Sequence, residues 1–143
     1  MRPSLLRVAR YAWTSPNTVV GALLGLCLIV PGGRIRIVSG VMEFSCGLVG
    51  RALSRAPKSL RFCAITFGHV VIGINEAQLD AVRPHEHVHV RQYERWGPFF
   101  LPAYLLSSVW QILQGRRAYR DNVFEREAYA TARCQPVSRR FPA

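Results

Sequence analysis

His85-Glu86-His87-Val88-His89 admits two geometries, and the residues after it suit only one. On a strand, side chains alternate, so His85, His87 and His89 would share one face, with Glu86, Val88 and Val90 on the other. On a helix, residues four apart share a face. His85 and His89 then stand together, Glu86 lies one step round, and His87 turns about 200° from His85. Arg91-Gln92-Tyr93-Glu94-Arg95-Trp96 contains no turn residue, and Val88, Gln92 and Trp96 extend a stripe of helical period. Gly97-Pro98 supplies a stop, and Pro84 suits a first helical turn. A helix opening at Pro84 is expected, with His87 directed away as a surface or packing residue.

Two imidazoles on one helical face can hold a single cation, and the His-Glu-x-x-His spacing suits zinc. Zinc would bring the pKa of a bound water near neutrality and polarise a carbonyl, and Glu86 stands where a carboxylate can accept that water's proton. One zinc per chain is expected, held by His85 and His89, with Glu86 as the catalytic base. A hydrolytic site needs a third protein ligand. Asn122-Val123-Phe124-Glu125-Arg126-Glu127-Ala128 offers two carboxylates about 200° apart on a helix, so one of them faces the metal. Glu125 shares its face with Ala128 and Ala132, small residues that permit close helix approach, whereas Glu127 goes with Val123 and Thr131. Glu125 is therefore the expected ligand. The competing reading makes it the closing residue of a capping box begun at Asn122.

This pattern, His85-Glu86-x-x-His89 followed by Glu125 in an E-x-x-A helix, resembles the gluzincin zinc metallopeptidases, the group that includes thermolysin and the Ste24-type membrane proteases. Tyr93-Glu94-Arg95-Trp96-Gly97-Pro98, Tyr119-Arg120-Asp121-Asn122 and Phe124-Glu125 resemble small bacterial membrane-associated proteins of this type, over about residues 64–132. The resemblance implies a peptide or protein substrate, bound in extended form along a strand edge around residues 65–74. Many relatives carry Asp one residue after the Ala of E-x-x-A; this chain has Tyr129 there. The alternative is a non-enzymatic, membrane-associated protein that keeps the scaffold with a structural or vestigial zinc.

The N-terminal third is apolar. Residues 12–31 are long enough to cross a bilayer, although Ser15, Pro16 and Asn17 weaken the first third. A basic start before the run resembles a secretory signal, but Pro31-Gly32-Gly33-Arg34 offers no small-x-small cleavage site. The expectation is an uncleaved anchor or interfacial helix over residues 1–33, and a membrane-associated protein. Residues 98–115 form a second apolar segment. Were it a simple span, about ten residues would have to bring Glu125 back to the histidines, so a shallow or packed helix bent at Pro102 is expected instead.

Residues 34–44 alternate with period two around Ser39-Gly40 and read as a hairpin, and residues 62–74 as one or two further strands broken at Gly68 and Gly73. A short helix capped by Asn75 should follow over residues 76–82. The fold class is thus α+β: an N-terminal apolar helix, a small antiparallel sheet, the active-site helix, an apolar helix and a C-terminal glutamate helix, a minimal zincin-like arrangement. Residues 34–134 would form the metal-binding domain and 135–143 a loose tail.

The chain carries a formal net charge of +11, with Lys58 its only lysine. That suits an anionic partner such as a membrane surface. The arginines are scattered and form no nucleic-acid motif, so nucleic acid is not an expected partner. Cys27, Cys46, Cys63 and Cys134 have no metal-ligand spacing and read as buried free thiols. Trp96, Phe99 and Phe100 read as core or interfacial anchors. His69 is expected to be structural, and Tyr93, Tyr119 and Tyr129 are candidates for stabilising an oxyanion.

Overall fold

The hairpin at residues 34–45 closes on Ser39 and Gly40, both at positive φ (53° and 84°), the twist that a two-residue turn between antiparallel strands requires. This computed structural model of the protein describes residues 5–29, 32–55 and 63–134, and the tail over residues 135–143 lies outside them. In chain order the elements are α1 (Leu5–Ile29), β1 (Arg34–Val38), β2 (Val41–Ser45), α2 (Leu48–Ser54), β3 (Ala64–Phe67), β4 (Val70–Gly73), α3 (Glu76–Trp96), α4 (Phe100–Leu113) and α5 (Val123–Cys134). The class is α+β, as expected.

The sheet runs β1-β2-β4-β3 and is mixed, not antiparallel throughout. Each hairpin is antiparallel, but β2 and β4 pair in parallel, Phe44 beside Ile72. After β2 the chain passes through α2 and re-enters as the outer strand β3, so β4 arrives alongside β2 in the same direction. Burial agrees with that central place: all four residues of β4 are buried, the unbroken apolar run Val70-Val71-Ile72 being covered on both faces. The helix α2 lies between the two expected strand regions, where the sequence predicts no element.

The sheet lies between helices. Val41 and Val71 on one face pack with Leu79 and Val90 of α3. Phe44, Val70 and Ile72 on the other pack with Ala22, Leu28 and Ile29 of α1. The C-terminal half of α1 thus packs on the sheet. A Cβ on Gly25 would fall 2.6 Å from Phe44 Cγ, and one on Gly21 2.6 Å from Phe67 Cβ, so these glycines let α1 lie directly on the sheet. Beneath α3, buried Glu43 receives Arg36 Nε at 2.6 Å and Arg83 Nε at 2.7 Å, and Asp80 joins both arginines.

The two helices expected over residues 76–96 are one. Asn75 caps it, its side chain accepting Gln78 N–H at 2.8 Å, and the helix continues through Pro84 to Gly97, whose N–H bonds Tyr93 O. Pro84 thus lies inside the helix, not in its first turn. It removes the hydrogen bond to the Asp80 carbonyl, but both residues are exposed, so water can satisfy that carbonyl. A short 3-10 turn, Gly97–Phe99, leads into α4. Pro102 sits in the first turn of α4, where a missing N–H costs nothing, and so bends nothing. Phe100 is core with Tyr93 and Phe124, whereas Trp96 and Phe99 are exposed. Of the thiols, Cys46 is buried, but Cys27 and Cys63 are exposed, and all three are free.

Candidate metal centre

The helix α3 places His85 and His89 one turn apart, and α5 brings Glu125 against both. Asn122 caps α5 through its own side chain, Oδ1 accepting Phe124 N–H at 2.9 Å. Glu125 is therefore free of capping: it turns inward, 3% exposed, with Oε2 3.3 Å from His85 Nε2 and Oε1 3.3 Å from His89 Nε2. Fully buried Ala128 lets the helices approach this closely.

The two imidazole Nε2 atoms are 3.1 Å apart. Tetrahedral coordination with metal–ligand bonds of 2.0–2.1 Å separates its donors by about 3.3 Å. The two imidazole nitrogens, each 3.3 Å from a different oxygen of Glu125, lie near that spacing, and one donor atom from each of the three residues falls within 4.8 Å of the others. The bonding around them agrees. Gln92, buried beside His89, gives its Nε2 to two acceptors, Phe124 O at 3.0 Å and Glu127 Oε2 at 2.9 Å. Its amide is thereby oriented, and Oε1 must accept from His89 Nδ1 at 2.8 Å. With the proton on Nδ1, the His89 lone pair is on Nε2, facing Glu125 and His85. Glu125 Oε2 has no hydrogen-bond partner, although it is buried. These three residues form a cluster that could hold a metal ion.

Burial alone would raise the Glu125 pKa, but the adjacent His85 and His89 rings and the Tyr104 hydroxyl together bring it down to about 2. The carboxylate is charged throughout the neutral range. Tyr104, from α4, donates to Glu125 Oε1 at 2.8 Å. Burial and the adjacent carboxylate push its own pKa upward, so it remains a donor.

Glu86, 6% exposed, lies beside the cluster on α3 and accepts the Thr66 hydroxyl at 2.7 Å on Oε2. Thr66 belongs to β3, the free edge of the sheet nearest this helix. Among the described residues only the first part of residues 65–74 lies on a sheet edge; β4 is enclosed between β2 and β3.

The other candidates lie apart from the cluster or beside it. Glu127 takes the Gln92 amide and Arg95 instead of facing the histidines. His87 is turned away and half-buried, its pKa lowered by burial. His69 is structural: it stacks on Tyr11 at 3.9 Å, meets Thr14 Oγ1 at 2.8 Å and Glu94 Oε1 at 3.1 Å, and so ties α1 to the sheet and α3. Tyr93 is core. The Tyr129 ring lies 4.5 Å from that of His85, while His85 Nδ1 is buried without a partner. Tyr119 interacts with Tyr129 and Glu125. Tyr104, Gln92 and Thr66 were missed as site residues. Only Gln92 left a signal, as the one amide in the stripe Val88, Gln92, Trp96.

No protein-family profile, no curated protein and no solved structure matches this chain.

Proposed function

We propose that the protein is a zinc-dependent peptide hydrolase, with His85, His89 and Glu125 as metal ligands and Glu86 as the general base. One observation carries the reading: two imidazole nitrogens 3.1 Å apart meet a buried carboxylate whose two oxygens each lie 3.3 Å from one of them, with a second, non-ligating carboxylate, Glu86, beside them. A purely structural site has no need of Glu86. When bound there, zinc supplies a Lewis acid that polarises a carbonyl and acidifies water.

The chain's own residues divide the remaining work. Glu86 takes a proton from the attacking water and later delivers it to the leaving amine. Thr66 holds the Glu86 carboxylate on one oxygen and leaves the other to act. Glu125 contributes negative charge, kept in place by Tyr104. Gln92 fixes the His89 ring. The exposed edge of β3 can pair with an extended peptide, whose backbone would then pass Thr66 and Glu86.

A second reading, a non-enzymatic scaffold with structural zinc, draws on Tyr129, which lies against His85 and leaves its Nδ1 without a hydrogen-bonded support. Glu86→Gln separates the two. Its amide oxygen can still accept from Thr66, so stoichiometric zinc should persist while cleavage of a mixed peptide library disappears. Zinc-loaded wild type that cleaves no peptide would favour the scaffold, and wild type without stoichiometric zinc would end both readings.

A further inference from the structure

Both apolar helices expose a row of bulky apolar side chains, although Leu28 and Ile29 of α1 and Phe100 and Tyr104 of α4 pack inward. Against the sheet α1 lays small or hydroxylated residues, Thr14, Thr18, Gly21 and Gly25, while Val19, Val20, Leu23 and Leu24 stand 43–60% exposed on its other side. The same pattern recurs in α4. Its Ser107 and Ser108 turn inward, accepting Val123 N–H at 3.2 Å and Asn122 Nδ2 at 2.7 Å, and Gln111 is buried. Its Leu105, Leu106, Trp110 and Leu113 stand 55–74% exposed. A helix packed on a core in water shows the opposite arrangement. No charged residue occurs in α1 after Arg10 or anywhere in α4. The two faces meet where Trp13 lies 6.3 Å from Phe99 and Asn17 Nδ2 donates to Gly97 O at 3.1 Å.

We propose that these two outward faces seat in the hydrocarbon of an anionic bilayer, with α1 lying along the membrane surface instead of crossing it. By length and hydropathy alone α1 could span. Its packing argues otherwise, because the sheet is attached to it from Thr14 to Ile29. A crossing α1 would carry the sheet into the bilayer, with the open edges of β1 and β3 and the guanidinium of Arg34, 80% exposed. Unpaired strand edges are not tolerated in lipid. Seated on its outer face, α1 keeps the sheet in water.

Charge selects lipid over a second copy as the occupant. Two copies would bring +11 against +11, whereas anionic headgroups neutralise that charge. Exposed arginines stand beside the apolar helices: Arg116 and Arg120 beyond the end of α4, with Arg10 and Arg117 nearby already paired with Glu94 and Asp121. This inference is independent of the metal reading.

The test uses the full chain with sealed, preformed vesicles of phosphatidylcholine, with or without phosphatidylglycerol. Binding is expected to the anionic vesicles and to weaken with salt. Leu23→Asp and Leu106→Asp should each reduce it by about tenfold or more. Leu48→Asp, at an exposed apolar position on α2, should not. Circular dichroism checks that each variant folds. A second arm leaves the apolar faces intact. Single cysteines at Arg7→Cys, exposed on the sheet-facing side of α1, and Arg34→Cys, in a chain whose four native cysteines are replaced, should both react with a membrane-impermeant maleimide. Protection of one of the two would show that α1 crosses, and overturn the proposal. So would a lipid-free dimer that ignores anionic vesicles, or aspartate variants that fold and bind as well as wild type.

Discussion

Replacing Glu125 with glutamine tests the metal centre with little structural disturbance. Its two oxygens have different surroundings. Oε1 accepts from Tyr104 and faces His89, while Oε2 faces His85 and accepts no hydrogen bond. In Glu125→Gln the amide oxygen should stay with Tyr104, which puts the NH2 in the Oε2 position. That group donates to the His85 lone pair, the electron pair a cation would use. The substitution thus removes one charged donor and occupies a second. The cap of α5 is untouched, because Asn122 performs it. Loss of a partner outside the ligand shell already costs about 10–100-fold in metal affinity, so loss of a ligand should cost at least about a hundredfold, roughly 2.7 kcal/mol. Competition with a fluorescent zinc chelator measures this, and circular dichroism should show the helix content retained. Equal zinc affinity in wild type and Glu125→Gln would refute the three-ligand centre and the hydrolase proposal with it.

Three further outcomes follow from the packing. Gln92→Leu removes the amide that joins Phe124 O, Glu127 and the His89 ring; zinc affinity should fall about 10–100-fold and stability by about 1–3 kcal/mol, read by chelator competition and denaturant melts. Gly25→Leu drives a side chain into the Phe44 ring, so α1 should lift from the sheet and the melting temperature should drop by several degrees. Burial would raise the Glu43 pKa, but Arg83 and Arg36 hold it below its ordinary value near 4.5. Its contribution is therefore complete above that value and lost as the pH falls through the lowered one, and Glu43→Gln should flatten this acid limb in urea melts across pH while destabilising the fold at neutral pH.

The legible parts of this chain are those set by local chemistry. Period-two alternation and Ser39-Gly40 mark the first hairpin, and Gly68 marks the second turn. The spacing of His85 and His89, with the small strip at Ala128, was enough to place Glu125. Where neighbours in space decide, the sequence is ambiguous. Pro84 reads as a helix start because its local cost is plain, while the contacts that carry α3 through it, Leu79 and Val90 on Val41 and Val71, come from another part of the chain. Parallel pairing of β2 with β4 has no local signature, since it depends on the route of the chain through α2. Tyr104 is invisible for the same reason: it is one aromatic in an apolar run until α5 places Glu125 opposite its hydroxyl.

Hydropathy and fold also say different things about α1. Its composition passes for a membrane span, yet Gly21 and Gly25 belong to an interface with Phe67 and Phe44. Small residues at an apolar helix interface let backbones approach closely, in lipid as in water; here the partner is a sheet. Much of the helix's hydropathy comes from Val19, Val20, Leu23, Leu24 and Leu26, which the sheet leaves exposed, while beside the small residues it also covers Leu28 and Ile29. A window average cannot separate the two stripes, but the periodicity can. Thr14, Thr18, Gly21 and Gly25 recur at helical spacing, while most bulky residues occupy the other side. What the helix covers and what covers the helix are therefore two questions, and the sheet answers only the first.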